Sequence, residues 1–327
     1  YVKTPHIDRL ASEGTDFHRF TVASGVCSPS RTAVMTGHFP ARYNIDAHFA
    51  WVPQNQKRNM PDWLDPSVTT LPGLLQQAGY KTAHFGKWHL ANDMIPDSPL
   101  PGEYGYDEFG AFNCAGEQIP VHEDANSAIA FIEKCHSNQR PFFINLWIHE
   151  PHTPFHTQPK YRWRFRDLNE SDNIYASVLS HEDDRIGEEL YALDRLKLTD
   201  DTLVIFTSDN GPARASRPTK LALMHDTATG TGYAIGAAKG VTGGRKGYKA
   251  TLFEGGVGVP FIARWPGKIS ANRVDNQSIF SAVDLFPTFC ELADAPMPKG
   301  YRSDGISQVR ILTVSYTHLT LPTNREV

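Results

Sequence analysis

Short apolar runs alternate along the chain with longer segments in which apolar residues recur every three or four positions. Runs of the first kind are typical of buried parallel strands, and segments of the second kind are typical of amphipathic helices. The predicted strands are residues 16–22, 81–85, 141–148, 202–207 and 259–264, and the predicted helices are residues 6–13, 70–78, 123–136, 174–196 and 281–293. Because the two kinds of element alternate, the sequence predicts an α/β fold, a sandwich of helices around a mainly parallel β-sheet.

The turn after the first predicted strand carries a signal for the start of another helix. Pro29 suits the first helical position and Ser28 suits an N-cap, so Cys27 is expected at a helix N-terminus, where amide groups and the helix dipole attract anions. Arg31 is expected on the same helical face as Cys27. From this spacing alone the cysteine is a buried apolar residue, a nucleophile of low pKa or the precursor of another group.

Ionisable residues follow three of the predicted strands. Lys87 and His89 follow the strand 81–85, residues 149–152 follow the strand 141–148, and Asp209 and Asn210 follow the strand 202–207. A single cluster of this kind often only caps a helix or satisfies a loop. Because functional sites of open α/β sheets lie beyond the carboxyl ends of the strands, three such clusters predict one shared site.

Composition narrows the class of protein. Of 327 residues, 40% are hydrophobic and 21% charged, and the net charge of -4 argues against disorder and against a nucleic-acid partner. No run approaches the roughly 18 apolar residues that a membrane helix needs, so no transmembrane segment is predicted. The cysteines lack metal-site spacing, and Cys114, Cys135 and Cys290 are interpreted as structural.

The segment around Cys27 resembles the signature of a known enzyme family. Cys27-Ser28-Pro29-Ser30-Arg31 and the following TAVMTG are similar to the C-x-P-x-R and T-x-x-x-T-G signature of type I, formylglycine-dependent sulfatases, within the alkaline-phosphatase-like superfamily. The resemblance extends from about residue 4 to residue 307 through TPHIDRLASEG, GYKTAHFGKWHL, PHTP, TLVIFTSDNG, EGGV and SAVDLFPTF. It implies an alkaline-phosphatase-like fold and a sulfuric ester hydrolase.

The resemblance implies that Cys27 is oxidised to Cα-formylglycine by a maturation enzyme. One hydroxyl of the hydrated aldehyde attacks the sulfate ester and the other then expels sulfate, whereas a plain thiol would form a stable adduct. The same resemblance implies a divalent metal, Ca²⁺ with Mg²⁺ as the alternative, because both ions bind oxygen ligands. It also implies a sulfated carbohydrate or another sulfate ester as substrate, and a periplasmic or secreted location.

Roles follow from matching positions in the motifs. Arg31, Lys87 and His89 match the residues that orient the formylglycine hydrate in sulfatases. His152 matches the histidine that binds sulfate and protonates the leaving alcohol, and Lys249 matches a second sulfate-binding lysine. The implied metal ligands are Asp209 and Asn210, together with the modified Cys27.

The chain also departs from the family pattern. Two metal-binding aspartates of the first strand have no counterpart before the helix at 6–13, and Gly258 stands where the family usually has arginine. We therefore expect a fragment lacking the first strand and the small C-terminal antiparallel subdomain. Its catalytic domain is expected at residues 1–307, followed by an irregular tail at 308–327 that is either native or foreign. The Gly-, Ala- and Thr-rich stretch 214–247 is expected to be a long loop.

Two other functions remain open from the sequence. One is a phosphoesterase of the same superfamily, because phosphate and sulfate esters are similar anions. The other is a non-catalytic relic that binds sulfated glycans. Three smaller points also stay open: residues 181–184 are interpreted as a solvated helix face, His38 and His48 are candidates to line the pocket, and Trp51, Trp63 and Trp163 either stack on sugars or pack on the surface.

Overall fold

The computed structural model of the chain describes residues 2–214, 222–234, 236 and 238–313. The strands are β1 Thr15–Phe17, β2 Phe20–Thr21, β3 Lys81–Lys87, β4 Glu108–Phe112, β5 Phe142–Trp147, β6 Val204–Thr207, β7 Leu223–Asp226, β8 Gly230–Tyr233, β9 Phe261–Arg264, β10 Arg273–Asp275 and β11 Phe280–Ser281. The α-helices are α1 Pro5–Ser12, α2 Cys27–Thr36, α3 Val52–Lys57, α4 Leu71–Gln77, α5 Asp124–Ser137, α6 Pro159–Arg164, α7 Glu170–Arg195, α8 Glu254–Val257, α9 Leu285–Leu292 and α10 Val309–Thr313.

The strands form two main groups within an α/β architecture. One group has the order β4-β3-β5 and is parallel throughout. The other has the order β10-β1-β9-β6, in which β1 and β10 are parallel while β9 runs antiparallel to both of its neighbours. The predicted mainly parallel sheet with helices around it is therefore confirmed, with β9 as an antiparallel strand inside it.

Alternation along β5 explains how helices cover both faces of the first group. Phe142, Ile144 and Leu146 pack with α5 residues such as Phe131. Side chains at alternate positions point to opposite faces of a sheet, so Trp147 packs in the cluster on the other side. Both faces of this short apolar strand are thus in contact with side chains.

A cleft of about 1840 Å³ separates the two groups of strands. Within the described residues, β5 pairs only with β3, and β6 pairs only with β9, so each strand has one unpaired edge. Apolar side chains of both strands line the cleft. Every residue of β5 except Asn145 and every residue of β6 remains partly exposed, although the sequence predicts buried strands.

Two predicted element boundaries are wrong. The predicted strand 16–22 is divided into β1 and β2, which belong to different sheets, because the chain crosses between sheets at His18 and Arg19. The predicted helix 281–293 starts only at Leu285, after β11 and a turn in which the Asp284 side chain accepts a hydrogen bond from the backbone N–H of Ser281 at 2.8 Å.

Helix α2 begins two residues earlier than the predicted N-cap at Ser28 implies. Val26 has extended backbone angles and precedes the helix, so Cys27 is the first helical residue and Ser28 is not the N-cap. The Ser28 hydroxyl instead accepts a hydrogen bond from the backbone N–H of Phe49 at 3.0 Å, which fixes a neighbouring loop. The expected position of Cys27 at a helix N-terminus is nevertheless confirmed.

The stretch 214–247 is not only a loop, because it contains the hairpin of β7 and β8. The carboxylate of Asp226 accepts hydrogen bonds from the backbone N–H groups of Ala228 and Thr229, which closes the turn. Backbone hydrogen bonds between Tyr233 and Phe155 attach the hairpin to the rest of the fold. Residues 215–221, 235 and 237 of this stretch lie outside the described residues.

The interpretation of residues 181–184 as a solvated face is wrong for three of the four residues. His181, Glu182 and Asp183 are buried, because α7 is covered by α1, α5 and α6. The Asp183 carboxylate accepts hydrogen bonds from the backbone N–H groups of His6 at 3.1 Å and Ile7 at 2.9 Å. It therefore caps the first turn of α1 from another helix.

Ordered structure continues past residue 307. Gln308 is buried and its side-chain amide donates to Asp284, and α10 follows, with Leu312 inside the main apolar cluster. Residues 308–313 thus differ from the irregular tail expected there, whereas residues 314–327 lie outside the described part of the chain. Among the described residues, no helix combines the length and apolar character that crossing a bilayer requires.

Candidate active site

Cys27 lies at the N-terminus of α2, at the meeting point of several polar side chains. It is buried, and its Sγ lies 3.4 Å from Asn210 Oδ1 and 3.6 Å from Lys87 Nζ. The backbone before it is held close to a neighbouring segment, because a Cβ at Gly25 would come within 2.4 Å of the Thr251 carbonyl oxygen. Position 27 therefore needs this glycine and touches residues from β3 and from the end of β6.

Arg31 connects the same two strand ends. Its Nη1 donates to the Lys87 carbonyl oxygen at 2.7 Å, and its Nε and Nη2 donate to Asp209 Oδ2 at 2.9 and 2.6 Å. The Arg31 side chain is only 8% exposed. A buried arginine that uses most of its planar edge in this way is held in one orientation.

Asp209 is an ionised carboxylate in this environment. Burial alone would raise its pKa, but the positive charges of Arg31, Lys87 and Lys249 together lower it below its ordinary value. Asp209 is thus surrounded by more positive than negative charge. The pocket as a whole favours an anion.

Lys87 and His89 are buried side by side at the end of β3. Burial lowers the pKa of the Lys87 ammonium, and Lys249 and Arg31 lower it further, while Cys27 acts in the opposite direction. Burial and the charge of Lys87 also hold the pKa of His89 well below its usual range, so its ring is neutral at pH 7. Its Nε2 lies 3.0 Å from the Phe49 carbonyl oxygen, and its Nδ1 is buried without a partner among the described residues.

His152 and Lys249 complete the group of predicted site residues. The His152 Nδ1 lies 2.6 Å from the Thr153 carbonyl oxygen. The charge of Lys87, burial and the charge of Lys249 hold the pKa of His152 well below its ordinary value. Lys249 is anchored through its backbone N–H, which donates to the Pro212 carbonyl oxygen at 3.0 Å.

The structure brings all the predicted site residues to one place. Arg31, Lys87, His152, Asp209, Asn210 and Lys249 line one end of the cleft, and Lys87, His89 and His152 line an adjoining pocket of about 210 Å³. His48 lines this pocket. His38 does not: its ring nitrogens face the Tyr43 hydroxyl and the Arg302 carbonyl, and it has a structural role.

Sequence reasoning did not single out other polar side chains of the pocket. Asn92, Asn113 and Asp226 line it as well. Asn92 and Asn113 lie in loops and Asp226 ends β7, and nothing in their spacing marks them. The three tryptophans considered for sugar stacking differ in burial. Trp63 packs on an apolar cluster, whereas Trp51 and Trp163 are 52% and 68% exposed.

Asp209 and Asn210 fit part of a site for a hard divalent ion. The Asp209 carboxylate and the Asn210 amide oxygen are oxygen donors next to position 27, as calcium and magnesium require. Two donors fall short of the roughly six to eight oxygen ligands that calcium takes. The described residues therefore supply part of such a site, and Arg31 already occupies one carboxylate oxygen of Asp209.

Another possible metal cluster is a helix cap. Within the described residues, His6, Asp183 and Asp184 are the group of histidines and carboxylates close enough together to hold an ion. Asp183 already accepts two backbone N–H groups, and Asp184 accepts a hydrogen bond from the Tyr161 hydroxyl at 2.7 Å. All four cysteines are free and buried, which agrees with a structural role for the three outside the site.

Fold and pocket together define an α/β protein with an anion-binding site at the carboxyl edge of its sheet. The model of the sulfatase family matches residues 1–295. Mouse N-acetylgalactosamine-6-sulfatase is 33% identical over 349 residues, which cover 93% of this chain and 60% of the mouse protein. The chain therefore belongs to the sulfatase family, whose members in general use formylglycine and a metal.

Solved structures agree with this assignment. Ps i-CgsB, solved in complex with k-i-k-neocarrahexaose, superimposes with a TM-score of 0.74 at 26% identity, over 93% of this chain and 69% of that one. The phosphonate monoester hydrolase of Silicibacter pomeroyi shares the fold, with a TM-score of 0.62 at 17% identity over 95% of this chain and 72% of its own. The chain spans 60% of the length of the mammalian N-acetylgalactosamine-6-sulfatases that it matches.

Proposed function

We propose that the protein containing this chain hydrolyses sulfate esters, with a sulfated carbohydrate as the substrate class, by means of a formylglycine formed at Cys27. The observation that carries the proposal is the position of Cys27 at the start of α2, within 3.6 Å of Lys87 and beside Asn210. A helix N-terminus flanked by cations suits an anionic tetrahedral group. The similarity to N-acetylgalactosamine-6-sulfatase supports a sulfated sugar.

The oxidised side chain at position 27 would supply a hydrated aldehyde as the nucleophile. Arg31 and Lys87 orient position 27 and offset negative charge, and the buried, neutral His89 offers a ring nitrogen beside them. Lys249 and His152 hold the sulfuryl group. His152 gives its proton to the oxygen of the departing alcohol, so the ester and water yield an alcohol and sulfate.

Asp209 and Asn210 would hold a divalent ion, for which we propose Ca²⁺ with Mg²⁺ as the alternative. Such an ion stabilises negative charge on the sulfuryl oxygens. The donor set contains only oxygens and therefore favours these hard ions over zinc. The modified position 27 would be a further ligand.

We also propose a maturation enzyme as partner and a periplasmic or secreted location, both on the strength of family membership. The formylglycine proposal is tested by mass spectrometry of the tryptic peptide 20–31 after expression with a competent maturation enzyme. The expected peptide carries the mass of an aldehyde at Cys27, whereas a Cys27→Ala variant carries none and is inactive. An unmodified thiol in an active enzyme would refute the proposal.

Hydrolysis of matched esters decides between sulfate and phosphate as the substrate. The positive pocket suits both anions, and the phosphonate monoester hydrolase above shows that the fold is shared. We expect p-nitrophenyl sulfate to be cleaved faster than p-nitrophenyl phosphate by the metal-loaded protein. The reverse order would favour the phosphoesterase, and binding of sulfated glycans without cleavage of either ester would favour the relic.

A further inference from the structure

The guanidinium of Arg31 lies on the face of an indole ring that none of the roles above includes. The Arg31 Cζ is 4.6 Å from the centroid of the Trp147 ring. The in-plane hydrogen bonds of Arg31 go to Asp209 and to the Lys87 carbonyl, so the ring is the contact that fixes the tilt of the guanidinium plane. A cation over an aromatic face is attracted most strongly when the pair is removed from water, and tryptophan is the best ring for it.

The pairing of β3 with β5 puts Trp147 in this position. Trp147 is opposite Gly86 in the parallel register, next to Lys87, whose carbonyl Arg31 also contacts. Gly86 has φ +96°, and a Cβ there would come within 2.3 Å of the Trp147 carbonyl oxygen. The two strand ends therefore approach more closely than any residue other than glycine allows.

The indole ring of Trp147 packs against other aromatic rings. This ring is nearly parallel to that of the fully buried Trp88, with the centroids 6.4 Å apart and the planes at 22°, and the His84 ring lies almost perpendicular to it at a centroid distance of 5.0 Å. Burial and the charge of Arg31 lower the pKa of His84 to about 3, so His84 adds no charge under the site. The indole thus rests on a neutral, tightly packed aromatic layer.

We propose that Trp147 is a positioning residue of the reaction: its indole face holds the guanidinium of Arg31 in the plane that keeps Asp209 and Lys87 in place around position 27. This inference rests on the proposed function. A guanidinium has five N–H groups, and Arg31 donates three hydrogen bonds to described residues, so fixing its plane also fixes the direction of the other N–H groups. Small displacements of such groups lower rates because catalytic geometry is narrow.

Steady-state kinetics of the full-length, formylglycine-containing, metal-loaded protein test the proposal with p-nitrophenyl sulfate, a substrate without a sugar. Arg31 is buried and Trp147 is partly exposed, so the loss of their cation–π contact should cost an amount between the values for exposed and for desolvated pairs. We therefore expect Trp147→Leu to lower kcat by about 5- to 30-fold and to leave KM within about 2-fold. Trp147→Phe retains an aromatic face and should recover most of the activity. Rates are normalised to the formylglycine content of the peptide 20–31.

Trp163→Leu is the matched control. Trp163 also lies under an arginine, with the Arg166 Cζ 4.2 Å from its ring centroid, but it is 68% exposed. It does not line the cleft or the pocket. This variant should keep the kcat of the parent.

A double-mutant cycle with Arg31→Lys separates positioning from a general structural effect. If the indole acts through the guanidinium plane, Trp147→Leu should lower the already reduced activity of Arg31→Lys by less than about 3-fold. Equal losses of activity in both backgrounds would overturn the inference. The inference would also fail if the kcat of Trp147→Leu stayed within about 2-fold of the parent at equal formylglycine content. A parent without formylglycine or sulfatase activity would instead refute the proposed function.

Discussion

At the scale of residues, the site is dominated by positive charge that acts on its histidines. Lys87 and Lys249 are among the causes of the lowered pKa of His152, so in the substrate-free pocket this ring is neutral at pH 7. A bound sulfate ester adds negative charge next to the ring and therefore raises its pKa. The proposed proton donation by His152 would thus depend on the presence of the anion.

Replacement of His152 should affect substrates according to their leaving group. For His152→Ala we expect kcat to fall by about 100-fold or more with an alkyl or sugar sulfate, because an alkoxide leaves poorly without a proton. With p-nitrophenyl sulfate the loss should be much smaller, because p-nitrophenolate leaves without help. Steady-state kinetics with both esters measure the difference.

His136→Ala is the control for this prediction, because His136 is exposed on the last turn of α5. It should leave both rates unchanged. Equal losses with both esters in His152→Ala would mean that His152 binds the sulfate but does not donate the proton.

At the scale of elements, the site depends on close backbone approaches that only glycine permits. Gly86 and Gly79 both have positive φ, +96° and +94°, but a Cβ at Gly86 would collide with the Trp147 carbonyl whereas nothing lies within 4 Å of one at Gly79. A positive φ alone costs about 1–2 kcal/mol for a residue with a Cβ. Substitutions at these two positions therefore distinguish the cost of backbone strain from the cost of a steric collision.

We expect Gly79→Ala to lower the free energy of unfolding by about 1–2 kcal/mol. Gly86→Ala should lower it further, and it should also reduce activity, because β3 and β5 must move apart beneath Arg31. Denaturant unfolding monitored by circular dichroism gives both values. If the two substitutions destabilise the protein equally, the close approach at Gly86 is not a constraint.

An arginine from a loop lies next to Gly258, one of the departures from the family pattern. A Cβ at Gly258 would lie 3.1 Å from the Arg245 Nη1, so the guanidinium of Arg245 fills the space next to position 258. It donates to the Gly258 carbonyl at 2.9 Å and to the His18 carbonyl at 3.1 Å. An arginine thirteen residues upstream therefore lies beside position 258, where the family pattern usually has an arginine.

At the scale of the whole molecule, metal binding tests the ligand set that residues 1–327 supply. Asp209 and Asn210 provide two oxygens next to three positive side chains, which is a poor environment for a divalent cation. We expect calorimetric titration of residues 1–327 with Ca²⁺ to give weak binding, and little sulfatase activity. Tight binding of Ca²⁺ by residues 1–327 alone would contradict this expectation.

A second prediction at this scale concerns the strands β5 and β6 on either side of the cleft. Hydrogen exchange should be faster in β5 and β6, each of which has one edge unpaired by any described strand, than in β3, which pairs on both sides. β3 is therefore the internal control. Equal protection of all three strands in residues 1–327 would contradict the prediction.

The sequence by itself determined the local features of this protein. Periodicity predicted helices α1, α4, α5 and α7 and strands β3, β5, β6 and β9, because burial on one or two faces leaves its pattern in neighbouring positions. Because functional sites of α/β sheets form beyond the carboxyl ends of the strands, the sequence predicted that Lys87, His152 and Asp209 lie close together. The Cys27 motif indicated the family before any contact was known.

Only the tertiary structure decided which distant residues touch. The burial of His181 and Asp183, the antiparallel direction of β9 and the contact of Trp147 with Arg31 depend on elements far apart in sequence. A polar residue on a helix reads as solvated unless its covering helix is known, and a strand carries no mark of its direction. Those features follow from how elements pack on one another, which local sequence patterns do not record.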